Sequence, residues 1–173
     1  MIRHKAVGVL GALVMVTLAG CSGGDDRAYS VPDELCGVPA KPELTKDLLP
    51  GGDKLKVVKS QASGAVPRPY CDVVVDGDTE LSIQGNWQPA GTTAEQAAEK
   101  SHSFNLRPAD GGRFALWDDE AFTVVDCKNT TYKAERFSIE ARLVHADGDM
   151  SKELQRFLDP FSEAYRKSLP CES

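Results

Sequence analysis

Between Phe137 and Leu143 the apolar residues Phe137, Ile139, Ala141 and Leu143 alternate with the polar residues Ser138, Glu140 and Arg142. That two-residue period belongs to a strand with one buried and one wet face, and it predicts a strand over Glu135 to Val144. The same period marks a hairpin. Tyr70 to Val75 and Glu80 to Trp87 flank Asp76-Gly77, the dipeptide that two-residue hairpin turns favour. Its inward positions are Cys71, Val73 and Val75 on one strand and Leu81, Ile83 and Trp87 on the other. Arg113 to Trp117 and Ala121 to Cys127, joined at Asp118-Asp119-Glu120, predict a second hairpin, and Leu55 to Lys59 a further strand.

Helical spacing appears in three places. Pro42 opens a short helix with Leu44, Leu48 and Leu49 on one face, stopped by Pro50-Gly51-Gly52. Thr92-Thr93-Ala94-Glu95 fits a capping box, Thr92 paired with Glu95, and starts a helix through about Ser103 whose face is mostly Ala. From Ser151 to Leu169 the residues Leu154, Phe157, Leu158, Phe161, Tyr165 and Leu169 make one apolar stripe. Pro160 lies inside it and predicts a kink near Asp159 or two shorter helices.

The element order is helix and three strands, the same again, then a helix. It predicts an α+β fold: a mainly antiparallel sheet of about six strands with helices packed on one face. Residues 31–173 form a single domain on this reading. The order suggests two similar halves, without any residue-level repeat.

The N-terminus carries a different pattern. Arg3 and Lys5 precede an uncharged run from Ala6 to Ala19. As a helix that run reaches only about 21 Å, short of the roughly 30 Å of a hydrocarbon core, so it suits a secretory signal better than a membrane span. It ends in Leu18-Ala19-Gly20-Cys21, which resembles the lipobox of bacterial lipoproteins in all four positions. The resemblance implies a signal peptide over residues 1–20, cleavage before Cys21, and a diacylglyceryl group on the Cys21 sulfur. Two or more acyl chains hold a protein stably on a bilayer where one is marginal. Ser22 to Ser30 is polar and Gly-bearing, and with Cys21 reads as a flexible tether over residues 21–30. In arrangement the chain also resembles small actinobacterial envelope lipoproteins of unknown function, a likeness that implies no substrate.

Loss of residues 1–20 leaves 18 Lys and Arg against 26 Asp and Glu, a net charge of −8. That sign argues against nucleic acid and against electrostatic attachment to anionic headgroups, leaving the lipid as the tether. With Cys21 assigned to lipid, Cys36, Cys71, Cys127 and Cys171 remain as an even set in an oxidising compartment. Of three pairings, Cys36–Cys71 with Cys127–Cys171 is favoured. Cys71 faces whatever covers the sheet, the segment starting at Cys36 is nearest in sequence, and Cys171 follows the last helix.

Candidate chemistry is thin. GxSxG, HExxH, GxxxxGK[ST] and GxGxxG after a strand are all missing, and no catalytic residue, metal or cofactor is assigned. His145 beside Asp147 could join a serine in a dyad, though a strand-end His at an acidic turn is usually surface. The carboxylates Asp118, Asp119 and Glu120, and Asp76, Asp78 and Glu80, could offer oxygens to calcium or form a hydrolytic pair, but they lack the spacing of a known calcium loop. Trp87 is expected in the core, and Trp117 is the one candidate ligand-binding aromatic. Asn129-Thr130-Thr131 matches a glycan acceptor and reads most simply as a polar loop. The expected function is a non-enzymatic, membrane-anchored extracytoplasmic lipoprotein presenting its domain to a protein or small ligand. The alternative is a surface hydrolase using carboxylates or His145.

Overall fold

The computed structural model describes residues 26–172 apart from 63 and 65. The leader, the lipobox and Cys21 lie outside the described residues. The elements are β1 (Glu34–Leu35), β2 (Val38–Pro39), α1 (Pro42–Lys46), β3 (Leu55–Ala62), β4 (Arg68–Val75), β5 (Asp78–Gln88), α2 (Ala94–Lys100), β6 (Arg107–Ala109), β7 (Phe114–Leu116), β8 (Glu120–Asn129), β9 (Ala134–Leu143) and α3 (Ser151–Ser168). The fold is α+β, with β1 and β2 as a small ribbon and seven strands in one antiparallel sheet ordered β3-β4-β5-β9-β8-β7-β6. The seventh strand is β6, at the sheet edge, where Pro108 is tolerated and pairing with β7 is kept.

Local sequence explains the hairpin that organises the first half. Asp76 and Gly77 sit at φ 52° and 107°, as a tight two-residue turn requires, and Val75 pairs with Asp78. The Asp76 carboxylate accepts from the backbone N–H of Asp53 at 2.9 Å and of Lys54 at 2.8 Å, which tie the turn to the entry of β3 and lower its pKa.

The inner face carries the main core. Val73, Leu81, Ile83, Phe137, Ile139 and Ala141 are buried there, as the alternation predicts. They are covered by Leu154, Phe157, Leu158 and Phe161 of α3, and by Leu35, Val38, Leu48 and Leu49. α3 runs unbroken through Pro160, so the expected split into two helices does not occur. Phe157 and Phe161 stack at 4.9 Å across the proline and hold both turns on the sheet.

Both predicted disulfides form, Cys36–Cys71 with a Cα separation of 5.6 Å and Cys127–Cys171 with 4.9 Å. The first ties the β1–β2 loop to β4, and the second ties β8 to the chain just past α3.

At Gly85 on β5 neighbouring side chains occupy the space that a Cβ would need. A Cβ there would stand 2.3 Å from Phe137 Cζ and 3.1 Å from Pro69 Cγ, so the glycine makes room for the Phe137 ring. Gly85→Ala is expected to destabilise the fold by about 1–3 kcal/mol, as overpacking does. Phe137→Leu in the same chain should recover part of that in a thermal melt. An unchanged melting temperature for Gly85→Ala would mean the ring turns aside at no cost.

Two expectations are corrected. The helices do not share one face: α2 lies on the outer face, where Ala94, Ala97 and Ala98 pack on Ala115 and Phe122 as a second core. Its small side chains permit that close seat. Asp26 to Tyr29, expected within the flexible tether, are bonded instead. Ala28 N–H donates to Gly52 O at 2.7 Å, Arg27 Nη2 to Leu49 O at 2.6 Å, and Tyr29 Oη to Pro50 O.

Candidate functional site

α2 covers only the β7–β8 side of the outer face. Beside it lies an open cleft of about 1040 Å³. Its floor comes from the polar positions of β5 and β9, and its flanks from Arg68 and Tyr70 of β4 and from the C-terminal end of α2. The alternation that buries Leu81 and Ile83 therefore turns Ser82, Gln84 and Asn86 into the cleft, and the one that buries Ile139 and Ala141 turns Glu140 and Arg142 there.

The floor is partly prearranged. Gln88 Nε2 donates to Ser138 Oγ at 3.0 Å, and Lys100 Nζ donates to Gln88 Oε1 at 3.1 Å and Thr92 Oγ1 at 3.4 Å. Tyr70 and Ser82 hydroxyls lie 3.2 Å apart, and Ser82 Oγ donates to Asp72 Oδ1. The side-chain amides of Gln84 and Asn86 have no hydrogen bond among the described residues. At one end Trp87 packs on Tyr132 with centroids 5.0 Å apart.

Beneath the α2 end two largely buried carboxylates, Glu120 and Glu140, meet the half-exposed Arg142. Glu120 and Arg142 are directly opposite each other on β8 and β9, and Arg142 donates to Glu120 Oε1 from both Nε, at 3.0 Å, and Nη2. Ser103 Oγ donates to the same oxygen at 3.0 Å. Glu140, two residues before Arg142 on β9, is 3.6 Å from it and only 12% exposed. Burial, then the adjacent Glu120 charge and a hydrogen bond to it, push the Glu140 carboxyl up to about 7. Its proton is therefore exchanged near neutral pH, at the floor of the open groove.

Sequence-predicted site residues are placed differently. Trp117 is 41% exposed at the β7–β8 turn and is not part of the cleft lining; Trp87, expected in the core, both packs on Phe137 and lines the cleft. His145 Nδ1 lies 3.4 Å from Glu80 Oε2, so its acidic neighbour is Glu80 and not Asp147. The turn carboxylates are already engaged, Asp118 with Arg107 at 3.1 Å and Glu120 with Arg142. Among the described residues no group of three or more His, Cys, Asp or Glu could hold a metal ion. Asn129 donates to Pro170 O at 2.8 Å and accepts from Tyr132 N–H at 3.0 Å, so its amide builds the β8–β9 turn. Glu140, Arg142, Lys100 and Arg68 were missed as site residues; strand alternation puts two of them on the wet face but does not mark what that face encloses.

Among the described residues no helix is long and apolar enough to cross a membrane. Comparison with protein-family models, curated proteins and solved structures finds no match to this chain.

Proposed function

We propose that this chain is a lipid-anchored extracytoplasmic binding protein, non-enzymatic, whose polar ligand lies in the cleft beside α2. The observation that carries the reading is the uncovered half of the outer sheet face, where Gln84 and Asn86 present unengaged amides inside a concavity of ligand size. The disulfide-stapled body supports it, since a rigid scaffold holds such groups in place without ordering cost on binding. The lipobox resemblance supplies the address.

Two measurements test it. Cys21→Ala should move the protein from the membrane fraction to the soluble fraction of cells, and continued membrane association would remove the anchor from the account. Saturation-transfer NMR of the anchored chain in non-ionic detergent, against polar small molecules extracted from its own envelope, should give signals that Asn86→Trp abolishes by filling the cleft. Equal signals from both chains would place binding elsewhere.

A second reading has one specific observation behind it. Glu140, held near neutral beside Glu120, has the protonation behaviour of a general acid. Turnover lost in Glu140→Gln with ligand binding retained would select the hydrolase over the binding protein.

A further inference from the structure

We infer that the cleft takes an acidic saccharide, a polyhydroxylated ligand whose carboxylate or phosphate sits between Arg68 and Lys100. The inference rests on the cleft being the binding site and names the chemistry of what it holds.

Charge is the first argument. The chain is acidic, at net −6, and its other exposed arginines are mostly neutralised: Arg107 by Asp118, Arg113 by Asp110 and Asp159, Arg136 by Asp126, Arg156 by Asp47. In the cleft the pattern reverses. Arg68 has no ion pair among the described residues, and Lys100 Nζ is held only by the neutral oxygens of Gln88 and Thr92. Those two bonds orient the ammonium without cancelling its charge. Arg142 is already committed to Glu120. The cleft therefore offers two cations that make no ion pair, against Asp119 and the part-protonated Glu140 as the acids in its lining, and that balance in an otherwise acidic protein is complementary to an anion.

Hydrogen-bond chemistry is the second. A bare anion only accepts, and two cations would satisfy it. Gln84 and Asn86 each add an acceptor as well as donors, and the Tyr70 hydroxyl, whose proton goes to Ser82 because the Ser82 proton goes to Asp72, adds an acceptor. A row of groups that donate and accept matches sugar hydroxyls, which do the same. At one end Tyr132, packed on Trp87 at the margin of the inner core, borders the cleft with apolar surface that suits the C–H side of a ring. The volume of about 1040 Å³ exceeds what one small anion fills. A long nucleic acid is disfavoured by the charge of the whole domain.

Isothermal titration of the anchored chain in non-ionic detergent tests this with five probes: a uronic-acid disaccharide, a hexose phosphate, an uncharged disaccharide, inorganic phosphate, and a nucleoside monophosphate. At least one acidic sugar should bind about tenfold or more tightly than the uncharged one, with the first two probes separating a carboxylate from a phosphate source. Arg68→Gln and Lys100→Gln should each weaken it by about tenfold, the scale of one charge-assisted hydrogen bond. Asn86→Ala should weaken the acidic sugars and leave inorganic phosphate unchanged. The inference is overturned if neither acidic sugar binds, if the uncharged sugar binds equally, if inorganic phosphate matches the hexose phosphate, or if the nucleotide binds tightest. Should it fail while Asn86→Trp still abolishes the envelope-extract signals, the cleft remains a binding site for another chemistry. Should that variant change nothing, the cleft reading itself falls.

Discussion

Converting Cys127 and Cys171 together to serine will lower the melting temperature by about 10 °C. The bridge spans 44 residues, and closing a loop of that length removes roughly 4 kcal/mol of disorder from the unfolded chain in the entropic account. For a domain of this size each kcal/mol moves the midpoint by about 2–4 °C. Replacing both cysteines avoids a free thiol. The hydrogen bonds beside the bridge, from Asn129 Nδ2 to Pro170 O and from Thr130 to Glu172, do not involve the sulfurs, and the variant is expected to keep them. The measured loss therefore reports the crosslink, not a collapse of its surroundings. A drop under about 2 °C in a reversible melt would mean the unfolded chain is already restrained there.

Glu140→Gln will be more stable than the parent above neutral pH and equal to it in mild acid. Folding raises the Glu140 pKa from 4.5 to about 7, so the folded state binds that proton more tightly. The stability this adds is complete below about pH 4.5 and is lost as pH rises through about 7, where the charged form must be kept beside Glu120. A shift of this size is worth on the order of 3 kcal/mol. Glutamine cannot ionise, yet its N–H can donate to Glu120 as the protonated acid does. The groups acting on Glu140 are Glu120 on β8 and Arg142 on its own strand, and the other charged or titratable groups that line the cleft are Asp119 at the turn, Arg68 on β4, Lys100 at the end of α2 and His102 just past it. Urea unfolding at about pH 5 and about pH 8 checks this. Parallel stabilities for the two chains at both values would show that Glu140 ionises freely.

Most of the scaffold was legible because burial imposes a period. Strand alternation located β4, β5, β8 and β9 to within a few residues, and the parity of Cys71 beside the sequence position of Cys171 selected the disulfides. The errors have local causes. Thr92 and Thr93 both head a capping box, and the structure uses Thr93 with Gln96, because Thr92 turns inward to accept from Lys100 and, through its carbonyl, from Arg136. An alanine face carries little hydrophobic signal, so nothing in the sequence said that α2 would cross to the outer side. The cleft was the least visible feature. It is assembled from the polar halves of three strands and the tip of a helix, and polar positions look alike whether they meet bulk water or enclose a groove.

The two bridges join cysteines that are neighbours in chain order, Cys36 with Cys71 and Cys127 with Cys171. A polypeptide threaded through a translocon amino end first would expose each correct couple before the next begins. An oxidant that merely links thiols as they arrive makes both bonds properly, with no isomerase to unscramble them. Acylation at Cys21 would withdraw the single competing sulfur from that queue.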